Sequence, residues 1–101
     1  MDLNDINWEG LSAVLPKNHS HLTIESQSTP QNHLKLTLDR HKLTLEKWSP
    51  VKKWQFIYDL ATHQLQNRDN IPPQDAISIS NQIITTLLQM NDRGKARYEV
   101  K

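Results

Sequence analysis

"HLKLTLDRHKLTLEKW", residues 33–48, carries the plainest structural signal in the chain. Leu34, Leu36 and Leu38 alternate with Lys35, Thr37 and Asp39, and after Arg40-His41 the alternation resumes with Leu43 and Leu45. A period of two marks a strand with one buried face. Two such runs on either side of a short polar break make a β-hairpin. Charge selects the register. Setting Asp39 opposite Lys42 brings Thr37 to Thr44, Lys35 to Glu46 and His33 to Trp48, while Leu38 meets Leu43 and Leu36 meets Leu45 on the other face. Opposite charges facing each other across a sheet contribute about 0.2–1 kcal/mol per pair. A slip of one residue would place leucines opposite charged groups. Arg40-His41 lacks the glycine that a tight primed turn prefers, which leaves room for a four-residue loop.

Upstream, "HLTIE" (21–25) alternates in the same way, with Leu22 and Ile24 on one side, and a polar turn (26–32) joins it to the hairpin. Before that, "DLNDINWEGLSAVLP" (2–16) sets Leu3, Ile6, Leu11, Val14 and Leu15 near one helical face, with Trp8 at its margin. Asp2 or Asn4 caps this helix and Pro16 stops it. Downstream, Ser49-Pro50 has the form of an N-cap followed by proline at the first helical position. The helix predicted there carries Val51, Trp54, Ile57, Tyr58, Ala61 and Leu65 on its apolar face and Lys52, Lys53, Gln55, Asp59 and His63 on the other. After the break "NRDNIPP", Pro73 and Asp75 open a second helix, 74–91, containing Ile77, Ile83, Ile84, Leu87 and Leu88; Gly94 ends it. The expectation is an α+β domain over residues 1–92. It has a three-stranded antiparallel meander with helices packed on one face, in the order α-β-β-β-α-α, and residues 93–101 form a flexible tail.

Composition narrows the function. The chain has 101 residues, no cysteine, two glycines and 36% hydrophobic residues. Thiol chemistry, disulfides and Cys-based zinc sites are excluded. A phosphate-cradling glycine loop has too few glycines to form. No apolar run approaches the roughly 18 residues of a membrane helix and no signal segment leads the chain, so a soluble, cytoplasmic protein without membrane contact is expected. His19-x-His21 could chelate, but no carboxylate or cysteine completes a site, so no metal or cofactor is expected. Asp59 and His63 lie one helical turn apart with no nucleophile motif beside them, and no enzymatic activity is expected.

Charge is uneven. Residues 1–32 carry Lys17 against Asp2, Asp5, Glu9 and Glu25, a balance of −3. Residues 33–53 carry six cations against Asp39 and Glu46, a balance of +4. The basic excess adjoins residues 45–60, which hold four of the six aromatic residues. One reading of that cluster is a corner where sheet and helix pack. The sharper reading is a binding face formed by Trp48 and Phe56 with Lys47, Lys52 and Lys53. Lys52 and Lys53 in the first turn of a helix oppose its dipole, which folding does not favour and anion binding does. The first expectation is therefore a regulatory or adaptor module that docks a protein with an acidic surface. The alternative is an RNA- or DNA-binding domain that adds Lys35, Arg40 and Lys42 to the same lysines. A homodimer through the Ile-rich helix 74–91 is compatible with either.

One resemblance bears on the alternative. The order α-β-β-β-α over residues 3–67 resembles the double-stranded RNA-binding domain. "LTIESQSTPQNHLKL" is similar to that family's first strand, Pro-x-x-His loop and second strand, with Pro30 and His33 in matching places. "SPVKK" resembles its Ser-Lys-Lys stretch, with Lys52 and Lys53 matching. The resemblance implies shape-directed binding of A-form RNA through the first helix, the β1–β2 loop and those two lysines.

Overall fold

A computed structural model describes residues 3–15, 17–27 and 33–101. Asp2, Pro16 and Pro30, to which the sequence assigns a cap, a stop and a loop position, lie outside these residues. A 3-10 turn, Leu3–Asp5, is followed by α1 (Trp8–Val14), β1 (His21–Ser26), β2 (His33–Asp39), β3 (Lys42–Trp48), β4 (Lys53–Asp59), β5 (Gln64–Asn67), α2 (Pro73–Asp92) and β6 (Ala96–Val100). The fold is α+β, as expected. The sheet is larger than expected, with six antiparallel strands in the order β5-β4-β3-β2-β1-β6.

The β2–β3 hairpin has the register that charge selected, from His33 opposite Trp48 to Asp39 opposite Lys42. Its loop stays at two residues. Arg40 takes the positive φ, 55°, that a tight turn demands, and its N–H donates to the Ser20 carbonyl at 2.8 Å.

The helix predicted from Ser49-Pro50 is absent, and residues 53–67 form β4 and β5. The reason is legible in the burial. Trp54, Phe56 and Tyr58 point to one side and Lys53, Gln55, Ile57 and Asp59 to the other, a period of two rather than 3.6. Aromatic residues also favour a pleated, half-buried surface. Phe56 stands opposite Leu45 and Tyr58 opposite Leu43, so β4 extends the leucine-rich face of the hairpin. Ser49-Pro50-Val51-Lys52 is a hairpin turn in which Ser49 N–H donates to the Lys52 carbonyl at 2.8 Å. Pro50 occupies a turn corner, where its fixed φ suits it equally well.

The expected flexible tail over 93–101 is also corrected. Gly94, at φ 71°, turns the chain at the end of α2. Its N–H donates to the Asn91 carbonyl and that of Lys95 to the Met90 carbonyl, closing the helix in the manner of a left-handed cap. The chain then runs back along β1 as β6, with Ile24 opposite Tyr98.

Both helices lie on one face of the sheet, as expected. The rows beneath α2 read Val100-Leu22-Leu38-Leu43-Tyr58-Leu65 and Tyr98-Ile24-Leu36-Leu45-Phe56-Asn67. Ile77, Ile83, Ile84 and Leu87 are buried against this sheet. Three of the four isoleucines of α2 are thus taken up by the sheet, and Ile79 is half-buried. Outward the helix presents Ser78, Gln82, Thr85, Thr86 and Gln89. Helix α1 is capped by Asn7, whose Oδ1 accepts from Gly10 N–H at 3.2 Å. It sits close to α2 at Gly10, where a Cβ would lie 2.7 Å from Leu88 Cδ1. Asn81 joins the two segments, accepting from Asn7 N–H and donating to the Asp5 carbonyl.

One polar chain crosses the core. Ser80 Oγ donates to the Ala76 carbonyl at 2.6 Å. Its single proton is used there, so the Tyr58 hydroxyl, 2.7 Å away, donates to Ser80. Burial pushes the Tyr58 phenol upward. In the unfolded chain the phenol ionises near its ordinary value of about 10, whereas in the folded protein it holds its proton to higher pH. The unfolded state then binds fewer protons, so stability is intact below pH about 10 and falls as pH rises above it, by at most about 1.4 kcal/mol per pH unit. Urea melts at pH 9 and pH 11 are expected to show this loss in the native chain and a smaller loss in Tyr58→Phe. Equal losses in both would refute it.

Candidate functional site

The strand geometry reassigns the residues that sequence proposed as a binding surface. Phe56 is 0% exposed, at the centre of the core, and leaves the site. Lys52 and Lys53 flank a hairpin turn instead of starting a helix, so no helix dipole acts on them. The final helix in the order that resembled the RNA-binding family is replaced by β4 and β5. Lys35, Lys42, Trp48 and Lys53 project from the uncovered face of the sheet, and Lys47 projects from the helix-bearing face opposite Trp54. Arg40 occupies the β2–β3 turn. Because β3 spans the sheet at about 3.3 Å per residue, Arg40 and Lys42 stand roughly 20 Å from Lys53.

The β3–β4 hairpin end does bring four of the proposed residues together: Lys47, Trp48, Lys52 and Lys53. It adds two that the sequence reading placed elsewhere, Val51 and Trp54. Val51, at the tip, is 93% exposed. Lys52 Nζ lies 3.8 Å above the Trp54 ring on one side of the hairpin. On the other side Lys53 Nζ lies 5.6 Å from the Trp48 ring and 3.7 Å from Glu46 Oε2. Each exposed ammonium-over-indole contact contributes about 0.5–1 kcal/mol. Trp48 is held from its other neighbour by His33, whose ring stacks on it at 4.0 Å with a 14° tilt. His33 Nε2 lies 2.7 Å from Glu25 Oε1, but its N–H is not aimed at that oxygen. The contact is a close polar approach and not an aligned hydrogen bond. The result is a β-turn with an apolar tip between two lysine-capped tryptophans.

The uncovered face is electrostatically mixed. Lys42 stands between Asp39 and Asp59, and Lys35 between Glu25 and Glu46. Arg97 Nη2 approaches Glu25 at 3.5 Å. Its cations therefore alternate with carboxylates and form no continuous basic stripe. A depression of about 130 Å3 on the helix-bearing side is lined by Leu34, Lys47, Ile79, Gln82, Ile83 and Thr86. Among the described residues, no cluster of three or more His, Asp or Glu is arranged to hold a metal ion, and no helix is long and apolar enough to cross a membrane.

Comparison with protein-family models, with curated proteins and with solved structures finds no match to this chain.

Proposed function

We propose that the protein is a small, non-catalytic binding module of regulatory or adaptor type that docks another protein through the β3–β4 hairpin end. The observation that carries this reading is the exposure of Val51 at the tip of the β3–β4 hairpin. A two-residue turn gains nothing from an exposed β-branched side chain, and glycine or asparagine serves turns better. Flanking tryptophans ordered beneath lysines supply buried area at low entropic cost. Lys47, Lys52 and Lys53 against Glu46 give this end a positive balance, which favours an acidic partner surface around an apolar recess. Lys35 and Lys42 each stand between carboxylates and Arg40 lies in the turn at the far end of β3, a scattering that supports a protein partner over a nucleic acid, which needs a contiguous row of phosphate contacts.

The test is affinity capture from nuclease-treated native lysate with the native chain, Val51→Asp and Lys52→Glu. A specific protein is expected to bind the native chain and to lose affinity about 10-fold or more in each variant, with melting temperatures unchanged. Capture that vanishes on nuclease treatment, together with binding to duplex RNA or DNA that weakens by orders of magnitude from low to moderate salt, would replace this reading with the nucleic-acid alternative.

A further inference from the structure

We infer that a second copy of this chain docks on the free edge of β6, extending the sheet across a two-fold axis that passes beside Tyr98. This surface is separate from the hairpin end and does not depend on the function proposed for it.

The hydrogen-bond phase of β6 comes first. His21 and Lys101 exchange both backbone bonds, at 3.2 and 3.0 Å, and Gln27 N–H donates to the Lys95 carbonyl at 3.1 Å. In an antiparallel ladder such bonded pairs alternate with non-bonded ones. Arg97 and Glu99 therefore direct their backbone groups inward to Glu25 and Thr23, and Ala96, Tyr98 and Val100 direct theirs outward. Among the described residues β6 has β1 as its one neighbour, so it ends the sheet. An edge with outward N–H and C=O groups is a template for another strand.

Charge then identifies the occupant. On the uncovered face β6 presents Arg97 and Glu99, 63% and 49% exposed. The outward groups belong to even-numbered residues, so an antiparallel partner shifts only in steps of two. Centred on Tyr98, the pairing sets Arg97 opposite Glu99 of the second copy and Glu99 opposite its Arg97. Ala96, Tyr98 and Val100 exchange backbone bonds with Val100, Tyr98 and Ala96. A shift either way sets Arg97 opposite Arg97 or Glu99 opposite Glu99. Lys95 and Lys101 do oppose each other in the favoured register, but both lie outside the strand and their exposed stems allow them to separate. Charged side chains on an edge usually resist association; here the two charges are complementary to themselves across the two-fold axis. The opposite edge, β5, is four residues long with glutamines on its uncovered face and has no such pattern. A five-residue strand pair buries less surface than a standard interface, so a weak dimer that forms only at high concentration is expected.

Analytical ultracentrifugation up to about 500 μM is the test. The native chain is expected to move from 11.8 kDa toward twice that mass. Arg97→Glu and Glu99→Arg each create two like-charge pairs and are expected to weaken dimerisation about tenfold or more. An equimolar mixture of those two variants restores two opposite-sign pairs and is expected to dimerise where neither does alone. The double variant Arg97→Glu/Glu99→Arg is expected to recover the native behaviour. A native chain that stays at its monomer mass throughout, or a dimer indifferent to both charge reversals, would overturn the inference. Circular dichroism confirms that each variant folds, and failure of the mixture to associate while both are folded counts against it.

Discussion

A chain shortened to end at Arg93 is expected to lose most of its stability, with a fall in melting temperature of roughly 20 °C or failure to fold. A mobile tail would be removed without effect. The structure instead stands β6 against β1, whose Leu22 and Ile24 are 0% exposed. Removal breaks the bonds from Ser20 and His21 to the Lys101 carbonyl, from Lys101 to His21 and from Gln27 to Lys95, along with the ladder between them. Each such bond is worth about 1 kcal/mol net. It also strips the cover of Ala96 and Val100 from the core and the bond from the Tyr98 hydroxyl to the Val14 carbonyl, which ties α1 to the sheet edge. The four named end bonds alone, about 4 kcal/mol, are a large share of the 5–15 kcal/mol that holds a small domain together. At this chain length that amount corresponds to the stated shift. Thermal melts followed by circular dichroism decide it, and an unchanged midpoint would mean that β6 contributes nothing to the fold.

The parts of the fold legible in the sequence are those where one signal had no rival. Leucines at 34, 36, 38, 43 and 45 alternate with paired charges, and the register follows residue by residue. At 49–60 two signals compete. Ser49-Pro50 satisfies the grammar of a helix start, yet Ser-Pro also opens turns. Val51, Trp54, Ile57, Tyr58, Ala61 and Leu65 match a helical face, while Trp54, Phe56 and Tyr58 match a strand face. The aromatic and β-branched content of the run favours the strand, and the sheet edge left by β3 decides for it. The β6 strand was hidden for another reason: on its inner face "ARYEV" offers a small Ala96, an exposed Tyr98 and a half-buried Val100, too weak an alternation to mark a strand. The site followed the same division. Lys47, Trp48, Lys52 and Lys53 converge, since neighbours in sequence stay neighbours at a hairpin end. Phe56 departs, since its direction depends wholly on the period assigned to its element. The exposure of Val51 follows from the turn and has no signal in composition.

Phe56→Ala and Ile57→Ala together separate the two periods by measurement. In the helix reading Ile57 faces the core and Phe56 lies about 100° round from it, so the isoleucine change would be the costly one. In β4 the order is reversed. Phe56 is 0% exposed, set between Leu45 and Asn67 in the sheet row, with the Trp54 ring 6.4 Å away. Removing a buried phenyl ring costs about 3–5 kcal/mol, because the lost transfer energy is joined by that of a cavity which rigid strands on both sides prevent from collapsing. Ile57 points from the uncovered face between Thr44 and Gln66 and is half-buried, so its truncation is expected to cost about 1 kcal/mol. Urea denaturation of the two variants is expected to give midpoints in the order native, Ile57→Ala, Phe56→Ala, with a wide second gap. Phe56→Ala leaves Val51, Lys52 and Lys53 in place, so where it remains folded it is expected to keep the partner binding that Val51→Asp weakens. Stability and recognition are thereby assigned to the middle and the tip of one strand pair, and a Phe56→Ala chain that is stable but unable to bind would return that residue to the surface.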